Sequence, residues 1–346
     1  MSQTPAFPPT GAPTGHVPSA PGPSEAPAPA LPTADPRTWS LTKAHGTMND
    51  FVLVADPAGA LDVTPSQVAL LCDRRAGIGG DGLIRVVRSA AAGIPEAAAA
   101  VTDGAEWFMD YRNGDGSIAE MCGNGVRAFV HYLVERGLVA LDGDTPLAVG
   151  TRAGTRFVTR IPDPAGTSAP WYRVEMGVWE FPLPHENGAD SLVATRGIDV
   201  ARPALSVDMG NPHTVVALAS EAELRAADLV PVPEVTPVPP HGTNVEYIVV
   251  REAGPEEDQS IGHLLMRVNE RGVGETHACG TGACASALAA RYWAGAAGPD
   301  VWDVQQPGGT VRIEVDGDTV ALSGPAVLVG DVVPGAEFAS AVAARA

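Results

Sequence analysis

One block of sequence occurs twice in this chain, and the repeat constrains the architecture more than any other feature. Residues 109–129 read MDYRNGDGSIAEMCGNGVRAF and residues 266–286 read MRVNERGVGETHACGTGACAS. In each, a methionine (Met109, Met266) precedes a cysteine (Cys122, Cys279) by the same interval. Each cysteine opens a Cys-Gly-x-Gly turn followed by a small, apolar, helix-forming run. The apolar positions of VRAFVHYLVERG recur at helical spacing, which puts Cys122 in the turn at a helix N-terminus. Cys279, before ACASALAARYWAG, repeats the arrangement.

A helix start presents unpaired N–H groups and the positive end of the helix dipole, which favour an anion and lower the pKa of a nearby thiol toward neutrality. Cys122 and Cys279 are therefore candidate thiolates. Gly123, Gly125, Gly280 and Gly282 let backbone N–H groups approach a bound carboxylate closely. A lone cysteine before a helix is usually a small core residue. Two in matched turns argue for chemistry: proton removal and return at a stereocentre, one acid/base group per face, which is racemisation or epimerisation.

At 346 residues the chain exceeds one ordinary domain, and two domains are expected. The balance of 22 Lys+Arg against 41 Asp+Glu, a net charge of −19, argues against nucleic acid or an anionic membrane as partner, since both need basic patches. No apolar run approaches the roughly 18 residues of a membrane-spanning helix. Four cysteines make no disulfide scaffold, and their spacing matches no zinc signature. The expectation is a reduced, cytoplasmic enzyme without a metal, with Cys72 and Cys284 as core residues.

Residues 1–36 are rich in proline and carry no Lys or Arg, which reads as a disordered tail rather than a signal peptide. WSLTKAHGTMNDFVLVAD reads as two strands joined by a turn at His45-Gly46, and Asn49 there is a loop residue or a ligand contact. TPSQVALLCDRR predicts a helix over 64–75 with Thr64 as N-cap and Pro65 at its first position. Gly77, Gly79 and Gly82 satisfy a bare G-x-G-x-x-G, but the motif runs from helix to strand, the reverse of a dinucleotide site, and reads as a turn approaching a ligand. AAAGIPEAAAA reads as a surface insertion. WFMDYRN is a strand delivering Asn113 to the loop before Cys122. Strands follow over 145–160 and 171–181, with PDPAGTSAP between them near a domain boundary.

The second half restarts the pattern. Asn211 precedes an apolar strand as Asn49 does, and Asn244 stands as far after Asn211 as Gly82 after Asn49, so the duplication is of domain scale. Glu270 and Arg271, beside Cys279, either suit the ammonium and carboxylate of an amino acid or form a surface ion pair, while His213 tunes a thiol or is a structural histidine. VRIEVDG and DTVALSGPAVLVGDVV suggest hairpin pairing near the C-terminus.

HGTMNDFVL, RRAGIGGDGL, YRNGDGSIAEMCGNGVRAF, MGNPH, GTNVEYI and ERGVGETHACGTGACA resemble, in order across residues 40–330, the blocks of the diaminopimelate epimerases. The resemblance implies an α/β (α+β) fold of two similar domains, each a mostly antiparallel sheet curled around a central helix, with the active site in the cleft between them. The domains would span 37–160 and 161–330, the segment 331–346 returning to the first. It implies interconversion of L,L- and meso-diaminopimelate in lysine and cell-wall precursor synthesis, with no pyridoxal phosphate, metal or nucleotide, by a homodimer in the cytoplasm. Carried over residue by residue, Cys122 and Cys279 match the catalytic pair. Gly123, Asn124, Gly280 and Thr281 match the carboxylate-holding turns; Asn49, Asn113, Asn211, Asn244, Glu270 and Arg271 match substrate contacts; His213 and Glu270 match thiol-tuning groups. Gly82 stands where many members carry a substrate-contacting Gln. The nearest alternative is a cofactor-independent racemase of the proline-racemase kind.

Overall fold

The computed structural model describes residues 35–346 except 142–144, 165, 167–168, 186 and 256. The tail expected over 1–36 thus lies almost wholly outside the described residues; Pro36–Thr38 form a 3-10 turn capped by the Asp35 carboxylate. The first half of the chain runs β1 (Leu41–Gly46), β2 (Asn49–Ala55), α1 (Pro65–Cys72), β3 (Gly82–Arg88), α2 (Pro95–Thr102), β4 (Trp107–Asn113), α3 (Gly123–Glu135), β5 (Leu147–Gly150), β6 (Arg156–Ile161) and β7 (Trp171–Val178). The second runs β8 (Ser191–Ala194), β9 (Arg202–Asp208), β10 (Pro212–Ala217), α4 (Glu221–Ala226), β11 (Glu234–Thr236), β12 (Asn244–Arg251), β13 (Ile261–Glu270), β14 (Gly274–Thr276), α5 (Gly280–Ala294), β15 (Val301–Gln306), β16 (Gly309–Asp316) and β17 (Thr319–Pro325). β18 (Val327–Val332) and α6 (Ala336–Ala343) follow.

The fold is α/β, dominated by sheet, and the pairing makes the duplication explicit. From β1 to β7 the neighbours pair antiparallel, parallel, antiparallel, parallel, antiparallel, antiparallel. The series β9, β10, β12, β13, β15, β16, β17 pairs in the same alternation. The last strands of the two series, β7 and β17, pair with each other. At the opposite edges β18 lies against β1 as β8 lies against β9. Most pairings are antiparallel because parallel neighbours need a crossover, which α1, α3, α4 and α5 help supply.

Each series curls around one helix. α3 touches β1, β7, β18, β2, β17, β3 and β4, and α5 touches β12, β10, β16, β9, β13, β17 and β15. A helix so surrounded must be apolar all round or nearly so. Val126, Phe129, Val130 and Leu133 of α3 are buried, and α5 achieves the same with small residues, Ala283, Ala285, Ala287, Ala289 and Ala290 about Leu288. Both helices share one core cluster.

α1 begins as expected, with Thr64 and Gln67 forming a reciprocal capping box and Pro65 at the first position, but stops at Cys72 because Asp73 turns extended. AAAGIPEAAAA, expected as a surface insertion, enters the helix α2, whose Ala97 and Ala100 are buried in one cluster with Val87 and Phe108 while Glu96, Ala98 and Ala99 are exposed. Of the expected C-terminal hairpins β16 pairs with β17, whereas β18 pairs with β1. PDPAGTSAP joins two strands that pair with each other, β6 and β7, and is described only in part.

The first turn is also displaced from its expected place. His45 and Gly46 end β1, and the two-residue turn is Thr47-Met48, at φ 55° and 62°. Two positive φ values suit the twist of a tight hairpin, yet for residues with a Cβ they cost about 1–2 kcal/mol each. Gly46 is excluded from the turn by its neighbour: a Cβ there would sit 2.7 Å from the Asn124 carbonyl oxygen and 3.2 Å from Arg127 Nη2. The strained turn is held from the same side, since Arg127 Nη2 donates to Thr47 Oγ1 at 2.8 Å. The glycine thus lets the first hairpin press against the first turn of α3. Substituting Gly46→Ala is expected to lower unfolding free energy by about 1–3 kcal/mol, the range of core overpacking, read as a lower midpoint in urea with an unchanged slope.

Candidate active site

The starts of α3 and α5 meet in one cavity of about 710 Å³. Its wall includes Asn49, Asn113, Cys122, Gly123, Asn124, Asn211, Glu270, Arg271, Cys279, Gly280 and Thr281. Eleven of the thirteen residues singled out in the sequence are therefore gathered in one place; Asn244 and His213 stand behind the wall. Cys122 is the N-cap of α3, its Sγ accepting from Gly125 N at 3.4 Å; Cys279 is the N-cap of α5, its Sγ accepting from Gly282 N at 3.4 Å. The helix starts approach closely because glycine follows each cysteine. A Cβ on Gly280 would lie 3.3 Å from Asn124 Oδ1, and one on Gly123 would lie 2.7 Å from Leu322 Cδ2.

Polar side chains hold this junction. Asn49 Oδ1 accepts from Cys122 Sγ and from Asn124 Nδ2, both at 3.3 Å, while Asn49 Nδ2 donates to Asp81 at 2.7 Å. Asn124 Nδ2 also reaches the Ala278 carbonyl at 3.5 Å, from one helix start to the other. Asn211 Nδ2 donates to Thr281 Oγ1 at 3.4 Å, and Cys279 Sγ lies 3.6 Å from the same hydroxyl. Asn113 Nδ2 donates to Ser117 Oγ at 3.0 Å. Asn244 uses its amide on backbone: Nδ2 donates to the Pro212 carbonyl at 3.1 Å, and Oδ1 accepts from Arg271 N at 2.9 Å. Arg271 Nη1 donates to the His241 carbonyl at 2.8 Å at the exposed rim.

The two thiols stand on unlike supports. Beneath the start of α3, a Cβ on Gly125 would meet the apolar Ile84 and Phe51, each at about 3.5 Å or less. Beneath α5, one on Gly282 would meet Glu246 Oε1 at 2.6 Å. His213 Nδ1 lies 2.7 Å from that oxygen and its Nε2 lies 3.1 Å from Asn211 Oδ1, with His213 and Glu246 both buried. β10 and β12 bring them together as β2 and β3 bring Phe51 beside Ile84.

At both thiols, removal from water opposes the helix ends. Burial pushes the Cys122 thiol up to about 11, and the Glu270 carboxylate adds to it, against the opposing N–H groups of Gly125 and Asn124 and the Arg127 charge. Burial also pushes Cys279 well above its ordinary value, with Glu270 and Glu246 adding to it. The expectation of two near-neutral thiolates is corrected: removal from water, not the helix dipole, decides the free form. Burial likewise raises the Glu270 carboxyl, opposed by the hydroxyl of Thr276 that donates to it. Cys72 and Cys284 are buried in apolar clusters, as expected for core residues, and burial pushes each up to about 12.

Several residues of the site were not singled out in the sequence. Glu246 was legible as one acid inside an otherwise apolar strand, VEYIVV. Arg127 was legible as one cation inside an apolar helix. It is fully buried, donates to Asn124 Oδ1 at 2.9 Å, and pairs with no carboxylate among the described residues. Asp81 and Gln306, whose Oε1 accepts from Cys279 N at 2.8 Å, carry no local signal. Among the described residues no group of three or more His, Cys, Asp or Glu could hold a metal ion, and no helix is long and apolar enough to cross a membrane.

Two sheet-wrapped helices whose starts open into one cavity define a class of fold shared with several solved structures. A hydroxyproline epimerase from Agrobacterium vitis superimposes with a TM-score of 0.55 at 14% identity, covering 85% of this chain and 90% of that one. A phenazine biosynthesis protein of the PhzF family from Bacillus anthracis superimposes at 0.58 and 16% identity, over 85% and 98%. Sequence narrows the class: residues 41–178 and 205–329 match the profile of diaminopimelate epimerase, and the chain belongs to that family of isomerases. It is 47% identical over 301 residues to the diaminopimelate epimerase of Streptomyces coelicolor, covering 84% of this chain and 94% of the relative, and 45% identical over 297 residues to that of Thermobifida fusca, covering 84% and 97%.

The raised thiol pKa has a direct readout. In substrate-free protein, alkylation of Cys122 by iodoacetamide is expected to keep rising about tenfold per pH unit above neutrality, because the thiolate fraction does so below a pKa of about 11. Peptide mass spectrometry across that range checks it, and a plateau just above neutral pH would show a thiol activated by the helix end alone.

Proposed function

We propose that the protein interconverts L,L- and meso-diaminopimelate by a cofactor-independent, two-base proton transfer between Cys122 and Cys279, supplying the meso acid for lysine and cell-wall precursors. The observation that carries this reading is the placement of both cysteines as N-caps of helices that open into one cavity. The α-carboxylate of the substrate lies against the N–H groups of the two helix starts, where the carbanion that forms next to it gains preorganised positive potential. Arg127, buried one turn into α3, adds a fixed charge of the same sign.

One cysteine, as thiolate, takes the α-proton and becomes a thiol. The other, as thiol, gives its proton to the opposite face of the carbanion and becomes the thiolate. Atoms and charge balance, and the enzyme leaves each turnover with the two protonation states exchanged; the reverse substrate uses the roles in reverse. Because both thiols resist ionisation in the empty cavity, the substrate's α-ammonium is the charge that makes a thiolate favourable on binding. Glu270, on the cavity wall, is the carboxylate that holds that ammonium.

The cavity extends past the thiols to Asn113, Asp115 and Arg271, polar groups that suit a second amino-acid centre and favour a long, doubly zwitterionic substrate over a proline. Asn244 contributes by fixing the Arg271 backbone, and His213 with Glu246 by fixing the side of the site next to Cys279. A cytoplasmic homodimer, which the resemblance implies, belongs to the same proposal.

Proton NMR of L,L-diaminopimelate with the reduced protein in deuterated buffer, without added cofactor, tests the reading. Deuterium is expected at the α-position together with the meso isomer. Either Cys122→Ala or Cys279→Ala is expected to lower kcat/KM by at least about 10²–10⁴-fold, the scale of a lost acid or base. Wild-type rates in either variant would sink the mechanism.

A further inference from the structure

The cavity wall on the Cys122 side contains a polar side chain that the reaction described above does not use. Tyr111, on β4, lines the cavity while only 7% exposed. Its ring stands edge-on to Phe51, with centroids 5.7 Å apart and planes at 83°. It also fills the space beside Gly82, the first residue of β3: a Cβ on Gly82 would sit 2.5 Å from the ring's Cε2 and 3.1 Å from Cζ, the carbon that bears the hydroxyl. The Arg112 carbonyl oxygen would be closer still, at 2.4 Å, so ring and backbone together leave no room for a side chain at position 82, where Gly82 faces Asn113.

The second half shows the exchange. Asn244 opens β12 as Gly82 opens β3, and Val268 faces Glu246 as Tyr111 faces Ile84. One half thus has a polar side chain at the strand start with a small residue beside it; the other has glycine at the strand start with a phenol beside it. Asn244 uses its amide on backbone groups, whereas the Tyr111 hydroxyl has no hydrogen-bond partner among the described residues. Burial holds the phenol well above its ordinary ionisation range, with the charges of Cys122, Asp81 and Glu270 adding to the effect, so the hydroxyl remains a neutral donor. The nearby acceptors are already engaged: Asp81 accepts from Asn49, Asp50 N and Arg74, and Asn49 Oδ1 from Cys122 and Asn124.

We propose that Tyr111 is a substrate-contacting, specificity-determining residue whose hydroxyl donates a hydrogen bond to a carboxylate oxygen of the bound amino acid. The inference rests on the reading of this cavity as the diaminopimelate site. A ligand oxygen would complete a donor that the folded chain leaves open at the cavity wall, and a hydrogen bond to a charged group is among the stronger ones.

The test compares wild type with Tyr111→Phe, which keeps the ring against Gly82 and Phe51 and removes the donor alone. With diaminopimelate, KM is expected to rise about ten- to a hundredfold, the loss of one hydrogen bond to a carboxylate, while kcat stays within about threefold and the melting temperature is unchanged. A hydroxyl with no partner in the free protein has nothing structural to lose, so this split separates contact from support. If wild type itself fails to turn over diaminopimelate, the functional reading fails first. If wild type is active and the variant keeps its KM within about twofold, or loses kcat at constant KM, the assignment of Tyr111 is overturned and the functional reading stands.

Discussion

The structure depends on the close approach of two helix starts. A single N-terminus offers an anion a few N–H groups and a partial charge, an interaction that water normally screens. Two of them, brought against one cavity, require both helices to be buried along their length and to carry no side chain where they meet. Gly123 and Gly280 satisfy the second condition and the wrapped sheets the first. The strained Thr47-Met48 turn, the buried Arg127 and the close contact at Gly46 all lie behind the first helix start. They are comprehensible as its support.

That geometry also sets the electrical state of the resting site. The cavity that strengthens the helix fields also strips water from the thiols, and for an uncompensated thiolate the second effect prevails. Nearby carboxylates, Glu270 toward both thiols and Glu246 toward Cys279, push in the same direction. The unlike supports beneath the two cysteines, apolar under one and a His213–Glu246 pair under the other, mean that duplicated backbones carry thiols that are not duplicates in behaviour.

Much of this was legible in the chain. The repeated Cys-Gly-x-Gly turns located both helix starts, and the equal spacing of Asn49 with Gly82 and of Asn211 with Asn244 signalled a domain-scale repeat, which the matching parallel pairings β2–β3 and β10–β12 display. What was not legible depended on contacts between distant segments. The place of the first turn was misread because Gly46 looks like a turn residue until α3 is seen pressed against it. The ionisation of the thiols was misread because helix position is local whereas burial is not. Asn244 and His213 were associated with the site through the family resemblance, and the register of β10 with β12 pairs them with each other, outside the cavity lining.

The return of the chain to its beginning also orders events in time. β1 gains its outer neighbour only from β18, and α1 is tied to α6 through Gln67 and the Val342 carbonyl and through Thr64 and the Arg345 carbonyl. During synthesis the half of the molecule that emerges first must therefore wait, with one sheet edge open, until residues beyond 327 have left the ribosome. The second half, closed at its outer edge by its own β8, has no such wait. Translation order and completion order run opposite to each other in this protein, which places the longest exposure of an unpaired strand on β1, the strand that ends at the Thr47-Met48 turn.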